Sequence, residues 1–211
     1  MPCFVNPVIF AVHFNLFDKS FIMKVNSRLI VFTLILVALT TACKFSFGPA
    51  LDWSGFSPVI AIALFSGFIM KQKDSSFLLP FVALFISDVA IQLLYAADLF
   101  PYAGFYQYQW QNYLFLLSAT LIGWMLKGRN YSSLAIGALI APTTFFLVSN
   151  FSVWISASEV TYAKSFAGLM ICYEAGLPFF RNSLIATLVF LPVILFSYNY
   201  ITRHRTAMTL A

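Results

Sequence analysis

Charged residues are scarce in this chain of 211 residues. Lysine, arginine, aspartate and glutamate together make up 9% of it, whereas 61% of the residues are hydrophobic. A soluble domain usually carries about 25% charged residues, because it must present a polar surface to water. Since this chain cannot cover a water-facing surface, most of its exterior must face lipid. We therefore predict an all-α integral membrane protein.

Residues that could build a catalytic or metal centre are also few. The two histidines, His13 and His204, lie near opposite ends of the chain, and Cys3, Cys43 and Cys172 do not have the spacing of metal ligands. The sequence has neither a glycine-rich phosphate loop nor a Walker motif, so the chain cannot hydrolyse a nucleotide by itself. The sequence therefore predicts no metal, no cofactor and no enzymatic activity.

The net charge of +5 does not indicate a nucleic-acid-binding protein. The basic residues occur in short clusters at the ends of apolar runs, and they do not form a stripe or patch. Clusters in such positions are typical of the signals that orient a membrane protein. We expect the lipid bilayer to be a partner of this chain and nucleic acid not to be one.

Six apolar runs follow one another along the chain. They cover residues 29–42, 57–70, 77–96, 113–126, 133–155 and 183–201. A transmembrane helix needs about 20 residues. The first, second and fourth runs are shorter, so they must borrow flanking residues, lie unevenly in depth, or be covered by neighbours. We predict one bundle of about six transmembrane helices within residues 23–205, followed by a cytoplasmic tail at 206–211.

The N-terminal region allows more than one interpretation. Met23 precedes a short basic segment and an apolar run, which is typical of a natural start. Residues 1–22 are then an N-terminal extension, either upstream of the true start or lying in the membrane interface. Residues 23–43 also resemble a signal peptide that ends in a lipoprotein-like Cys43. The five apolar runs that follow favour a retained first helix.

The basic residues divide unequally between the two sides of a six-helix bundle. Eight of them fall on the side of the two termini, and three fall on the opposite side: Lys24, Arg28, Lys71, Lys73, Lys127, Arg129, Arg203 and Arg205, against Lys44, Lys164 and Arg181. Cytoplasmic loops carry the excess of lysine and arginine. This distribution predicts that both termini are cytoplasmic.

Two segments on the opposite, outer side differ from the inner loops. Residues 98–111 are rich in tyrosine, phenylalanine and tryptophan, a composition typical of the headgroup region. Residues 156–182 form the longest predicted loop, within which residues 163–173 could form a short interfacial helix.

Polar side chains inside membrane spans are costly, so each is a candidate for function. Pairs of such residues occur in the outer halves of runs three and five and at the outer boundary of run six. We predict that they line an outward-facing pocket, where the acid and base would fix a zwitterionic or polar ligand: Asp88, Gln92, Asn150, Trp154, Arg181 and Asn182.

The same residues also have structural interpretations, which the sequence leaves open. Asp88 could pair with Arg181 and staple the third run to the sixth. Asn150 could bond a neighbouring backbone, and Trp154 could anchor the chain at the interface. A disulfide could join Cys43 to Cys172 on the outer side.

Four segments of the chain resemble a family of uncharacterised small six-helix bacterial membrane proteins. They are residues 56–67, 78–88, 149–154 and 172–183, of which the last, Cys-Tyr-Glu-Ala-Gly-Leu-Pro-Phe-Phe-Arg-Asn-Ser, is the most specific. The resemblance covers about residues 29–200 and implies a location in a bacterial inner membrane. That family is similar in turn to the substrate-binding S components of energy-coupling-factor (ECF) transporters.

The resemblance implies a small-molecule binder that captures its ligand from outside. Such a subunit docks onto a separate transmembrane coupling protein and a pair of ATPases. Ala38 and Ala42, a pair of small residues one helical turn apart in the first run, would lie in the docking face.

Three functional hypotheses follow. The leading one is a substrate-binding subunit for uptake of a small organic solute of the vitamin or cofactor-precursor class. The second is a structural or assembly protein with an internal Asp–Arg staple, and the third, least favoured one is a membrane enzyme.

Overall fold

The computed structural model describes residues 27–70, 73–127 and 130–203. These residues form six α-helices and one short 3₁₀ turn at Leu51–Trp53, with no strand among them. The helices are α1 (Ser27–Phe47), α2 (Val59–Ile69), α3 (Lys73–Ala96), α4 (Gln109–Met125), α5 (Tyr131–Ser156) and α6 (Phe166–Arg203). The predicted extension at 1–22, the predicted tail at 206–211 and the bases Lys24, Lys71, Arg129 and Arg205 lie outside the described residues.

Four of these helices are long and apolar enough to cross a membrane, which marks the chain as a membrane protein. The candidate spans are Leu29–Phe47, Lys73–Ala96, Tyr131–Ser156 and Phe166–Ile201. The helices α2 and α4 have 11 and 17 residues, fewer than the roughly 20 that an exposed span needs. The all-helical membrane fold is therefore confirmed with four candidate spans.

The shortest helix, α2, lies at the centre of the bundle. Every residue from Val59 to Phe68 is buried, and the helix packs against α3, α4, α5 and α6. Phe32 of α1 reaches the same centre, where its ring lies 5.6 Å from that of Phe65. A helix that is apolar on all its faces is stable only where other helices cover it. Of the three predicted ways to accommodate this short run, coverage by neighbours is the one observed.

The other five helices surround α2. Along this ring α1 packs on α3, α3 on α4, α4 on α5 and α5 on α6. Phe32 of α1 and Tyr198 of α6 meet edge to face at 6.0 Å and join the two ends of the series. The chain thus encloses its second helix within the first and the last four.

The last helix departs from the prediction. The segment 156–182, expected to be mostly loop, becomes helical at Phe166, and α6 continues without a break for 38 residues, which is about 57 Å at 1.5 Å per residue. Gly176 and Pro178 are unfavourable in an isolated helix. In the bundle, however, Gly176 allows a close approach to α5, since a Cβ there would lie 2.4 Å from Asn150 Oδ1.

The contact between α2 and α4 depends on two glycines. A Cβ atom on Gly67 would lie 2.0 Å from the carbonyl oxygen of Thr120, and one on Gly123 would lie 2.1 Å from that of Leu64. Each glycine therefore faces the backbone of the other helix, so neither contact can be relieved by turning a side chain. Small residues allow membrane helices to pack this closely.

We expect Gly67→Ala and Gly123→Ala each to lower the free energy of unfolding by about 2 kcal/mol, because the helices must separate to admit the methyl group. Thermal melting of the purified protein, followed by circular dichroism, measures the change. Gly137→Ala is the matched control, since a Cβ there would meet only the ends of flexible side chains, those of Leu126 at 2.7 Å and Leu64 at 3.2 Å. Equal losses in all three variants would contradict the backbone contact.

Candidate functional site

A cavity of about 680 Å³ lies at the N-terminal end of α2. Val59 and Ile60, the first two residues of that helix, line it together with side chains from each of the other five helices. Because α2 rises only about 16 Å, half the thickness of the hydrocarbon core, the longer helices around it enclose space that α2 does not fill. The cavity therefore follows directly from the shortness of the central helix.

Aromatic side chains form much of the wall of this main cavity. Seven phenylalanine, tryptophan and tyrosine residues contribute, drawn from three helices and from all three connections on this side of the bundle: Phe47, Trp53, Phe56, Tyr106, Phe145, Tyr162 and Phe179. Rings of this kind offer flat apolar surface together with a few polar groups. Such a wall suits a small organic molecule better than a hydrated ion.

The connection between α1 and α2 forms one side of the cavity and is tied to α6. Asn182, which is 3% exposed, donates from Nδ2 to the carbonyl oxygens of Asp52 (2.8 Å) and Ser54 (2.9 Å). Ser183 donates from Oγ to the carbonyl of Gly55 at 3.2 Å. Gly55 has φ +88°, a conformation that favours glycine. These bonds fix the position of the connection.

A buried ion pair lies beside the cavity. Lys44 Nζ on α1 contacts Asp88 Oδ1 on α3 and donates to Ser87 Oγ at 2.7 Å. The second carboxylate oxygen, Asp88 Oδ2, accepts from the Tyr113 hydroxyl of α4 at 2.6 Å. Both oxygens of the acid are therefore satisfied, as a buried charge requires.

The ion pair differs from the Asp88–Arg181 staple that the sequence left open, because the basic partner of Asp88 is Lys44. Helix α1 continues to Phe47, so Lys44 lies within the helix and next to α3. Arg181 instead lies on an exposed face of α6. Asp88 does staple two helices, but these are α1 and α3.

A second cavity of about 310 Å³ adjoins the first. Lys44, Tyr106 and Asn112 line both cavities, whereas Asp88 and Tyr113 line only the smaller one. The Lys44–Asp88 pair consequently lies at the wall between the two spaces. The lysine is accessible from the main cavity, and the acid lies behind it.

Of the predicted binding residues, Asn150 lines the main cavity and Asp88 the smaller one. Asn150 also donates from Nδ2 to its own helix, at the Phe146 carbonyl (2.9 Å). Gln92 accepts from the backbone N–H of Phe105 at 3.1 Å and so holds the connection that follows α3. A ligand-binding role for these residues stays a prediction.

The other predicted residues do not line the main cavity. Trp154 donates from Nε1 to the Ala163 carbonyl at 2.9 Å. Lys164, whose Nζ lies 5.5 Å from the centre of the indole ring, donates to the carbonyls of Ile155 (2.9 Å) and Ala157 (2.6 Å). A cation on these last carbonyls stabilises the C-terminus of α5. Trp154 and Lys164 therefore organise the connection to α6, as Asn182 does for the connection to α2.

Lys44 is the main site residue that was not predicted, because it follows the apolar run 29–42 directly and was assigned to the outer side. A signal for it was nevertheless present. That run has only 14 residues, and extending it to the length of a membrane span places Lys44 inside the helix. The observed α1 ends at Phe47, three residues beyond Lys44.

Cys43 and Cys172 both line the main cavity, and both are buried free thiols. The disulfide that the sequence left open is thus absent. Within the described ranges, no group of three histidine, cysteine or acidic side chains could hold a metal ion. The chemistry that the main cavity offers is therefore that of one ammonium group, two thiols, two amides, several hydroxyls and aromatic rings.

Residues 23–209 match the family of unknown function DUF6580. Because the match covers most of the chain, this protein belongs to that family. No curated protein and no solved structure matches the chain.

We expect Asn182→Leu to lower the free energy of unfolding by about 2 kcal/mol, because it removes two hydrogen bonds and leaves two carbonyls without a donor. Hydrogen exchange should also rise selectively in residues 51–57. Ser183→Ala serves as the control, since it removes one longer bond from the same connection. Unchanged exchange in this segment in Asn182→Leu would show that the connection is held by other contacts.

Proposed function

We propose that this member of the family is a membrane-embedded binding subunit that takes up a small organic solute, of the vitamin or cofactor-precursor class. The main cavity is the observation that carries the proposal. Its volume of about 680 Å³ lies within the range of roughly 300–1,000 Å³ that is usual for ligand sites. All six helices contribute to its lining, so the bundle as a whole is organised around it.

The proposal includes six spans, with the cavity on the outer side. The short helices α2 and α4 would complete the bundle as covered spans, because their neighbours shield them from lipid. Lys73 and Lys127 support this orientation, since both lie at the end of the bundle away from the cavity. Lys73 Nζ is 4.6 Å from the centre of the Trp124 ring, and Lys127 donates to the carbonyl of Met70. A basic end of this kind is typical of the cytoplasmic side.

A second candidate function is that of a structural or assembly membrane protein. The Lys44–Asp88 contact favours it, because an ion pair between α1 and α3 can hold a bundle together without any ligand. The two candidates differ in the use of the main cavity. A purely structural protein has no need to keep that volume open.

A variant in which a bulky side chain fills the main cavity distinguishes these two functions. We expect some member of a panel of vitamins and cofactor precursors to raise the Tm of the purified protein, and Ala175→Trp to abolish that shift, because Ala175 lines the cavity. Ala135→Trp is the matched control, since Ala135 is also an exposed helical alanine but lines neither cavity. The Ala135→Trp variant should show the same ligand-dependent rise in Tm as the wild type.

The structural and the binding function predict different results in this experiment. If no compound shifts the wild type and Ala175→Trp melts normally, while Asp88→Asn lowers the Tm, the structural function is favoured. If a compound stabilises the wild type and Ala135→Trp alone, the binding function is favoured.

Uptake against a gradient needs an energy source outside this chain, and we propose a separate coupling protein with a pair of ATPases. Ala38 and Ala42 of α1 are both exposed, one turn apart, on the side of the helix away from the core. Their small side chains leave a shallow strip on which another membrane helix could pack closely.

We expect Ala38→Trp and Ala42→Trp to reduce uptake of a bound compound by intact cells at least about tenfold while leaving its Kd unchanged, because the bulky ring would block helix docking. Uptake of the radiolabelled compound and its binding to purified protein are measured side by side. Ala135→Trp again provides the control. Normal uptake by both variants would exclude this face of α1 as the coupling surface.

A further inference from the structure

The charges around the main cavity are of one sign. Among the described residues that line it, Lys44 is the only charged side chain, and no aspartate or glutamate is present. Asp88 lies behind the lysine, in the smaller cavity, where the Tyr113 hydroxyl occupies its second oxygen. A positively charged ligand would therefore meet no carboxylate in the main cavity.

Lys44 has a donor left for a ligand. Its ammonium group carries three N–H donors, of which one is directed to Asp88 and one to Ser87. The third has no partner among the residues that the structure describes. The side chain is 22% exposed, so the group is held in place by its neighbours and still open to the cavity.

The start of α2 adds to the positive potential. Val59 and Ile60 line the cavity, and the helix has Pro58 as its N-cap, without a side-chain cap. The first N–H groups of a helix have no partner within that helix, and its N-terminus carries a partial positive charge. The helix end and Lys44 thus favour the same sign of ligand charge.

We infer that the solute is an organic anion, a carboxylate on a flat apolar body, and that Lys44 binds its charge while the aromatic wall packs against its rings. This inference rests on the proposed uptake function and names its substrate class. It replaces the zwitterionic ligand expected from Asp88 and Arg181, because neither of these side chains lines the main cavity.

A library of fluorinated aromatic compounds tests the inference. Each aromatic body is prepared in three forms: an anionic carboxylate, a neutral carboxamide and a cationic amine. One such set is 6-fluoro-2-naphthoate, its carboxamide and the corresponding naphthylmethylamine. Their binding to the protein is followed by ¹⁹F NMR relaxation in nanodiscs of phosphatidylcholine, a lipid with no net charge. Nanodiscs that hold the Ala175→Trp variant measure how much of each compound merely partitions into the lipid. We expect the carboxylates to bind the wild type about tenfold more tightly than the amides and amines, because only the carboxylates can form a charge-assisted hydrogen bond with the Lys44 ammonium group.

The variants at the ion pair locate the source of this preference. Lys44→Gln alone leaves an uncompensated carboxylate and could fail to fold, so the decisive variant is the double one, Lys44→Gln with Asp88→Asn. Its two amides can still bond to each other, and its preference for carboxylates should fall to less than about twofold. Lys44→Arg keeps the charge and should keep the preference.

Each outcome decides between distinct conclusions. If amides or amines bind the wild type as tightly as carboxylates, or if the double variant keeps the preference, the anion inference is wrong while the uptake function stands. If no compound in the library binds the wild type above the Ala175→Trp background, the inference is wrong, and the proposed function is decided separately by the panel of vitamins and cofactor precursors.

Discussion

The fold depends on burying one short helix. Every residue of α2 from Val59 to Phe68 is buried, and a helix that is apolar on all sides has no stable place except inside other helices. The five helices around it are arranged to provide that cover, and Gly67 and Gly123 bring α4 into backbone contact with it. Since α2 is only half as long as a membrane is thick, the same arrangement leaves the main cavity at its N-terminus. One constraint thus produces both the core and the site.

The ion pair illustrates how a membrane protein keeps a charge near its interior. Burying Asp88 alone would be strongly unfavourable, and a buried pair is tolerable only when its remaining donors and acceptors are satisfied. Tyr113 and Ser87 meet most of that requirement, but one lysine donor remains. A purely structural staple gains nothing from an open donor beside a cavity, whereas a binding site does. For this reason the incomplete satisfaction of Lys44 favours a binding role over the structural alternative.

The sequence predicts the helices better than it predicts the site. Runs 77–96 and 133–155 are uninterrupted, and α3 and α5 match them within a few residues. The predicted sixth run begins only at residue 183, whereas α6 begins at Phe166. Gly176 and Pro178 disfavour a helix in isolation, and the packing against α5 that accommodates Gly176 is not visible in one sequence. Asp88 was found because a charge inside a span is costly. Its partner Lys44 could not be identified from the sequence, because pairing depends on which helices are neighbours, and that is a tertiary property.

Three of the six residues predicted as ligand contacts hold the rim of the cavity instead. Gln92, Asn182 and Trp154 each bond the backbone of a different connection, those after α3, α1 and α5. These polar side chains lie at the same end of the bundle because three connections meet there, and the backbone groups of those connections need hydrogen-bond partners away from bulk water. If the cavity binds a solute as proposed, a rim fixed in this way orders the cavity before the solute enters, which reduces the entropy lost on binding. Selectivity can then come from a few interior groups, and among the described residues the Lys44 ammonium is the one that carries a charge into the main cavity.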